Sequence, residues 1–310
     1  MSRSPLKNVA DSVRQRLLNI ARERGEVAEW VYRAYGRERL LYRLAHSEYV
    51  GRFVLKGATL FSIWTNEPYR PTRDIDLLGS GSNEVATLVK VFREVCKVAV
   101  PDDGVRFDPD SVAGEEIRPE DEYQGVRITL VGSLGQARIP IQIDIGYGDA
   151  VVPRPKVVEM PTILLDSLPP RMKAYPREAV VAEKFETIVR RGMGNGRMHD
   201  FYDVWSMARR FEFQGSTLAK SMAATFERRK TAMPEDAPVA LTSEFAENKD
   251  VKSRWTGFLR RDNVRERTLP LGEVVELLKK FLTPPAQAVA RGKTFDMHWA
   301  SGGPWKRGQE

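Results

Sequence analysis

The 310-residue sequence is poor in the residue types on which several large functional classes depend. It holds one cysteine, Cys96, so no intrachain disulfide and no cysteine-based zinc cluster is open to it. Cys96 falls in the apolar pattern of Val91, Phe92, Val95 and Val98 and reads as a core residue. Three scattered histidines leave little from which to build a histidine-rich metal site. No stretch approaches the ~18 uninterrupted apolar residues of a membrane span, and the first residues lack a signal-peptide hydrophobic region. The expectation is a cytoplasmic chain with no membrane association. There is no internal repeat and no low-complexity tract, and the length suits two domains at ~100–200 residues each.

Charge is plentiful and uneven. The formal net charge is +7, yet residues 102–122 carry nine Asp or Glu against only Arg106 and Arg118. That stretch is therefore at −7, and the remainder is at +14. A basic field of this size favours a polyanionic partner, nucleic acid first among them, although solvated surface lysines and arginines also produce it.

Periodicity divides the chain. Residues 7–48 read as two helices, from Val9, Val13, Leu17 and Ile20 and then from Val27, Trp30, Val31, Ala34, Leu40, Leu41 and Leu44. They are expected to brace the core. From 53 to about 160 short strands alternate with one or two helices, and 125–131 and 139–147 are the clearest strands. The acidic stretch 102–122, with its Gly and Pro, reads as a loop. After Leu168-Pro169-Pro170 helices are predicted at 176–191, 199–211, 216–230, 250–260 and 271–283, with a weakly ordered tail over the last twenty residues. The class is α+β, with domains expected at 1–165 and 166–310.

The run Arg70-Pro71-Thr72-Arg73-Asp74-Ile75-Asp76-Leu77-Leu78 sets two carboxylates two residues apart in a β-like apolar stretch. On a strand Asp74 and Asp76 share a face about 7 Å apart while Ile75 and Leu77 turn to the core. Two hard oxygen ligands on one rigid edge suit Mg²⁺ together with a nucleotide's phosphates. Asp-x-Asp alone also arises by chance on solvated strand edges. Upstream, Phe53 to Phe61 reads as a strand ending in Lys56, a turn at Gly57 and a helix opening near Thr59. Strand, glycine turn, helix and Asp-x-Asp strand in that order resemble the opening of a polymerase-β-type nucleotidyltransferase fold, in which the glycine lets the backbone approach a phosphate.

Further along, the isoleucines of 139–145 fill one strand face and turn Asp144 to the other. If that strand lies beside the Asp74 strand, Asp144 is a third carboxylate and the site holds one or two Mg²⁺; otherwise it is a polar-face residue without a metal. Asp149, at the strand end, reads as turn chemistry. Pro176 opens a helix that carries Lys184, either a point charge for a triphosphate or a surface lysine paired with Glu183 or Glu186. Asp200 and Asp203 share a helix face, and Asp200 fits a helix cap as well as a group that orients Lys184.

The ordered set of Lys56-Gly57, Arg70, Thr72-Arg73-Asp74-Ile75-Asp76-Leu77, Asp144-Ile145-Gly146, Tyr175-Pro176, Ala182-Glu183-Lys184 and Arg197-x-His199-Asp200-x-Tyr202-Asp203 resembles the AbiEii/AbiGii-type toxin nucleotidyltransferases, the MenT group included. The resemblance implies a toxin of a type IV toxin–antitoxin system, built from a polymerase-β-like nucleotidyltransferase core with amino-terminal helices and a helical carboxy-terminal domain. It implies Lys56, Asp74, Lys184 and Asp200 as the essential set, with Asp76 a second metal ligand. It places a nucleoside triphosphate at Lys56, Gly57, Thr59 and Lys184. For the MenT group it implies transfer of nucleotides to the 3′ end of tRNA, which blocks aminoacylation and translation, with an AbiEi-like antitoxin as partner. Thr72, two residues before Asp74, is an expected inhibitory phosphorylation site, because a phosphate there adds about −1.5 to −2 charges beside the ligands. The sequence departs from the pattern at Ala58, where glycine or serine is usual, and at His199, where many relatives carry lysine. A protein or small-molecule acceptor, a catalytically silent binding protein and a metal-dependent phosphohydrolase are the competing readings; a monomer is expected.

Overall fold

The structure, a computed structural model, describes residues 8–65, 72, 74–117, 125–261, 264 and 266–307. Arg70, Pro71 and Arg73 of the Asp-x-Asp run, and residues 118–122 of the acidic stretch, lie outside the described residues. The chain divides into two compact units, one of residues 1–68, 72–148 and 156–174, the other of 69–71, 149–155 and 175–310. The fold is α+β.

The first unit opens with α1 (Val9–Arg24) and α2 (Ala28–Ala45). Asn8 caps α1 by accepting from the Asp11 amide, and Gly25 ends it in the left-handed region at φ 63°. Then follow β1 (Phe53–Lys56), α3 (Thr59–Thr65), β2 (Ile75–Gly79), α4 (Val85–Lys97), β3 (Val105–Ile117), β4 (Gly125–Leu134), β5 (Ala137–Tyr147), β6 (Lys156–Glu159) and β7 (Arg171–Ala174). The seven strands form one mixed sheet in the order β3-β4-β5-β2-β1-β7-β6. β2 runs antiparallel to β1 and parallel to β5. Gly36 lets α2 press on the sheet, since a methyl group there would come within 2.7 Å of Ile139 Cγ2. Buried arginines tie the same helix to its surroundings: Arg39 Nη2 donates to the Leu168 carbonyl at 2.8 Å, and Arg43 Nη1 pairs with Asp103 at 2.8 Å.

The second unit contains α5 (Arg177–Arg191), α6 (Met198–Arg210), β8 (Phe213–Gln214), α7 (Gly215–Arg228), α8 (Ser243–Glu247), α9 (Lys249–Arg261), α10 (Leu271–Ala290), β9 (Met297–Trp299) and β10 (Trp305–Arg307). Its core is aromatic. Phe201 stacks on Phe245, and Phe281 lies 4.8 Å from Trp299 and 5.8 Å from Trp305 between ring centroids. No described helix is long and apolar enough to cross a membrane.

Three expectations fail. The acidic stretch is β3 over Val105–Ile117, an edge strand whose Val105, Phe107 and Val112 are buried while Asp108, Asp110, Glu115 and Glu116 face out. Pairing with β4 overrides the poor strand propensity of its acids, at the cost of an irregularity between Asp108 and Ala113. The tail is ordered in its described part: β9 and β10 form a sheet with β8, anchored by Trp299, which is 1% exposed and donates from Nε1 to the Ala208 carbonyl at 2.7 Å. Finally, α10 does not stop before Pro284-Pro285 but runs to Ala290, with Pro285 and Ala286 buried. Packing outweighs the backbone bonds that the prolines forgo.

Candidate active site and metal centre

Register builds the first part of the site. Lys56 on β1 lies opposite Asp76 on β2, Asp76 opposite Asp144 on β5, Asp144 opposite Arg127 on β4, and Arg127 opposite Glu115 on β3. One row across five strands is thus wholly charged. The next row, which faces the other side of the sheet, is apolar on β1, β2, β5 and β4: Leu55, Leu77 and Ile145 are each 0% exposed and Val126 is 2% exposed. Period-two alternation sends hydrophobic groups to the core and charges to one polar face.

Asp74, just before β2, joins Asp76 and Asp144, and one carboxylate oxygen from each lies within 4.8 Å of the others. All three are half-buried. Three converging hard oxygen donors on adjacent strands fit a Mg²⁺-like cation, which takes few protein carboxylates and completes its shell with water and phosphate oxygens. The conditional reading of Asp144 is resolved in its geometric part, since its strand does pair with that of the Asp-x-Asp run. Asp144 has a second attachment. Arg127 forks onto it, Nε to Oδ1 and Nη2 to Oδ2, both at 2.9 Å, and Gln142 Nε2 donates to Oδ1 at 3.2 Å. These bonds orient the carboxylate, occupy both lone pairs of Oδ1 and leave one on Oδ2.

Gly57 has a further duty beside the one expected of it. Its φ is +73°, and a Cβ there would fall 1.9 Å from Asp76 Oδ2. The glycine makes room for the Asp76 carboxylate itself. Thr59 opens α3, and its carbonyl accepts from Ser62 Oγ at 2.7 Å. Thr72 is half-buried and its Oγ1 donates to the Asp74 carbonyl at 3.3 Å, so a group added to that hydroxyl would sit next to a metal-site residue. Arg37 on α2 is also within electrostatic reach of Asp74; burial lowers its pKa to about 10, and Asp74 opposes that shift.

In the second unit Lys184 of α5 is a partner of neither Glu183 nor Glu186 in its closest ion pairs. Its Nζ bonds Asp200 Oδ1 at 2.6 Å and Asp203 Oδ2 at 2.9 Å, both on α6 and both at most 1% exposed. Arg197 Nε closes the other side of Asp200 at 2.7 Å. Burial alone would raise the Asp200 pKa, but Lys184 and Arg197 overrule it and hold the carboxyl below the usual range. Among the described residues these contacts join two anions and two cations. His199 Nε2 lies 3.4 Å from Asp200, yet burial pushes its pKa down to about 4, so it is neutral at pH 7. A lysine at this position would add a third cation.

Asp149 is likewise not a mere turn residue: it bonds Arg229 at 2.9 Å. Arg229 also reaches Glu186 at 2.8 Å and Glu183 at 3.4 Å, which fastens the 149–155 segment to α5 and the end of α7. Arg127, Arg37 and Arg229 escape sequence reasoning. Only strand register or helix packing brings them to their carboxylates, and an isolated arginine carries no local signal.

The chain matches the family model described as nucleotidyl transferase AbiEii toxin, type IV TA system, over residues 39–277. No curated protein matches it. Among solved structures it is similar to MenT4, a nucleotidyltransferase toxin from Mycobacterium tuberculosis H37Rv, with a TM-score of 0.49 and 14% identity over 89% of this chain and 98% of that one. It is also similar to JHP933 from Helicobacter pylori, with a TM-score of 0.45 and 16% identity over 82% and 89% of the two chains.

Proposed function

Because this chain belongs to the AbiEii family of nucleotidyltransferase toxins of type IV toxin–antitoxin systems, we propose that it transfers nucleotides from a nucleoside triphosphate to the 3′ end of tRNA, and so blocks aminoacylation and translation. The observation that carries the reading is the convergence of Asp74, Asp76 and Asp144 to within 4.8 Å on one polar sheet face. Nucleotidyl transfer asks little covalent chemistry of a protein; it asks for positioning and for charge stabilisation.

Asp74, Asp76 and Asp144 would hold Mg²⁺, which when bound neutralises phosphate charge and lowers the pKa of a coordinated hydroxyl. Arg127 and Gln142 fix the orientation of Asp144. Lys56, next in the row to Asp76, supplies a cation for the triphosphate, and Gly57 keeps the Asp76 carboxylate in place. Lys184 and Asp200 complete the essential set: Asp200 and Asp203 fix the ammonium, and that ammonium acts as a point charge on the phosphates. Thr72 is the site at which phosphorylation would silence the enzyme, by adding charge beside Asp74. An antitoxin, AbiEi-like in this reading, is the partner, and the setting is the cytoplasm.

The test is incubation of the protein and its Asp74→Ala variant with Mg²⁺, each labelled nucleoside triphosphate in turn, and total tRNA. Label in tRNA that disappears with Asp74→Ala, while circular dichroism shows both proteins folded, is the expected result and names the nucleotide. Label in protein or a small molecule instead of RNA would replace the acceptor, and no label in any fraction would overturn the transferase reading.

A further inference from the structure

We propose that the outer face of α9 is the surface on which this protein docks the phosphate backbone of its RNA acceptor; the inference rests on the reading of RNA as acceptor given above. The helix is amphipathic. Val251, Trp255, Phe258 and Leu259 are buried, and Trp255 is pinned by its Nε1 bond to the Leu269 carbonyl at 2.7 Å. The opposite side presents Lys249, Lys252, Ser253, Thr256, Gly257 and Arg260, all exposed and all lining one shallow groove. They recur at helical spacing along about 16 Å of axis.

Three observations point to a polyanion on this stripe. First, its charge is positive: the groove's charged residues are Lys249, Lys252 and Arg260, and the sequence KDVKSRWTGFLRR holds five cations against the single acid Asp250. Second, the three cations that line the groove are unspent. On other helices some cations meet a carboxylate one turn away, as Lys97 does with Glu94, Arg33 with Glu29 and Lys280 with Glu276. Among the described residues Lys249, Lys252 and Arg260 have no ion pair. Arg254, one step round the helix, is committed to the Asn195 carbonyl at 3.1 Å.

Third, the middle of the stripe is small. Gly257 sits in a helix interior, where glycine is unfavourable relative to alanine. Nothing lies within 4 Å of a Cβ built on it. No packing inside the protein requires glycine there, whereas a close approach from outside does. Ser253 and Thr256 beside it supply hydroxyl donors of the kind that bond phosphate oxygens. The stripe also borders a cleft of about 770 Å³ between α9 and α10. Lys252, Arg267 and Lys279 stand at its lining, with Glu247 and Glu276 as the opposing charges. The face therefore offers cations at both ends, donors between them and a backbone that a sugar-phosphate chain can touch.

The experiment compares the full-length protein with K249Q/K252Q/R260Q and with G257Q, reading tRNA affinity across a salt series and nucleotide transfer at saturating tRNA. The triple variant should raise Kd for tRNA at least tenfold at low salt. It should also flatten the slope of log Kd against log salt by roughly 2 to 3, near one per lost contact. G257Q should weaken binding about fivefold with the slope unchanged, because it blocks approach without altering charge. Transfer at saturating tRNA should stay at the parent rate in both. Unchanged tRNA affinity in both variants, with label still entering tRNA, would sink the docking face and leave the function standing. If the parent protein neither binds nor labels RNA, the function itself fails and the RNA face with it. Loss of antitoxin binding with tRNA binding intact would assign the face to a protein partner and overturn the proposal.

Discussion

At single positions the site depends on close approach. Gly57→Ala places a Cβ 1.9 Å from Asp76 Oδ2 on a backbone at φ +73°. The carboxylate must move, and a displacement of about 1 Å at a reacting centre can cost 10²-fold in rate. The expected outcome is loss of transfer by about that factor with a drop in stability of about 1 kcal/mol, checked by labelling assays beside thermal melts. Retained activity would mean that Asp76 tolerates another pose. Arg127 makes the opposite kind of prediction. It is a fixed cation forked on Asp144, so it competes with a divalent ion for the same negative charge. Arg127→Gln should tighten Mn²⁺ binding by about tenfold in calorimetry, while transfer slows because Asp144 loses its orientation. Weaker Mn²⁺ binding would show that the fork's positioning effect outweighs its charge. The Asp-x-Asp pair was legible in the sequence because its spacing is local. Asp144 was legible only on condition of a strand pairing, and Arg127 not at all, since its partner is seventeen residues away and set by register.

At the level of elements, α5 and α6 are held together by buried charge. Lys184 is shared by Asp200 and Asp203, and removing Asp203 leaves Lys184 and Arg197 to the one carboxylate of Asp200, in a medium where uncompensated charge costs about 3–5 kcal/mol. Asp203→Ala should lower unfolding free energy by an amount of that order in urea titrations, whereas Asp203→Asn, which keeps a hydrogen-bond acceptor, should cost less. Equal losses would argue against the charge as the cause. The same helix carries a pH response. His199 has a folded pKa of about 4 against an ordinary 6.5, so between those values the unfolded chain binds the extra proton. Its contribution is complete above pH 6.5 and is lost as the pH falls toward 4. Melting temperature should decline over that window, and His199→Gln should flatten the decline. The longer helices were readable from apolar periodicity, α9 among them, whereas the short α8 was not and α10 was expected to end at 283. The missed elements share one cause: β3 and the β8-β9-β10 sheet draw their order from partners distant in the chain, and local composition says nothing of those partners.

For the molecule as a whole, the charge is divided rather than merely positive. The acids of the 102–122 stretch that are described lie on β3, the edge of the seven-stranded sheet, and the rest of the chain carries +14. An edge strand presents unpaired backbone groups, and exposed charge on it discourages a second sheet from adding there. The same acids repel a polyanion from that edge, which leaves the basic surfaces to bind it. Both effects are removed together by Asp108→Asn, Asp110→Asn and Glu116→Gln, three exposed positions that spare Glu115 and its contact with Arg127. Asn at 108 keeps the oxygen that accepts from the Asp110 amide, so the turn in β3 should survive. This triple variant should bind RNA of unrelated sequence several-fold more tightly at low salt and should aggregate at lower protein concentration, read by filter binding and light scattering. Tighter binding without aggregation would confine the acids to an electrostatic role. Aggregation with unaltered RNA affinity would make them guards of the sheet edge alone and would remove charge repulsion from the account of how the acceptor is directed.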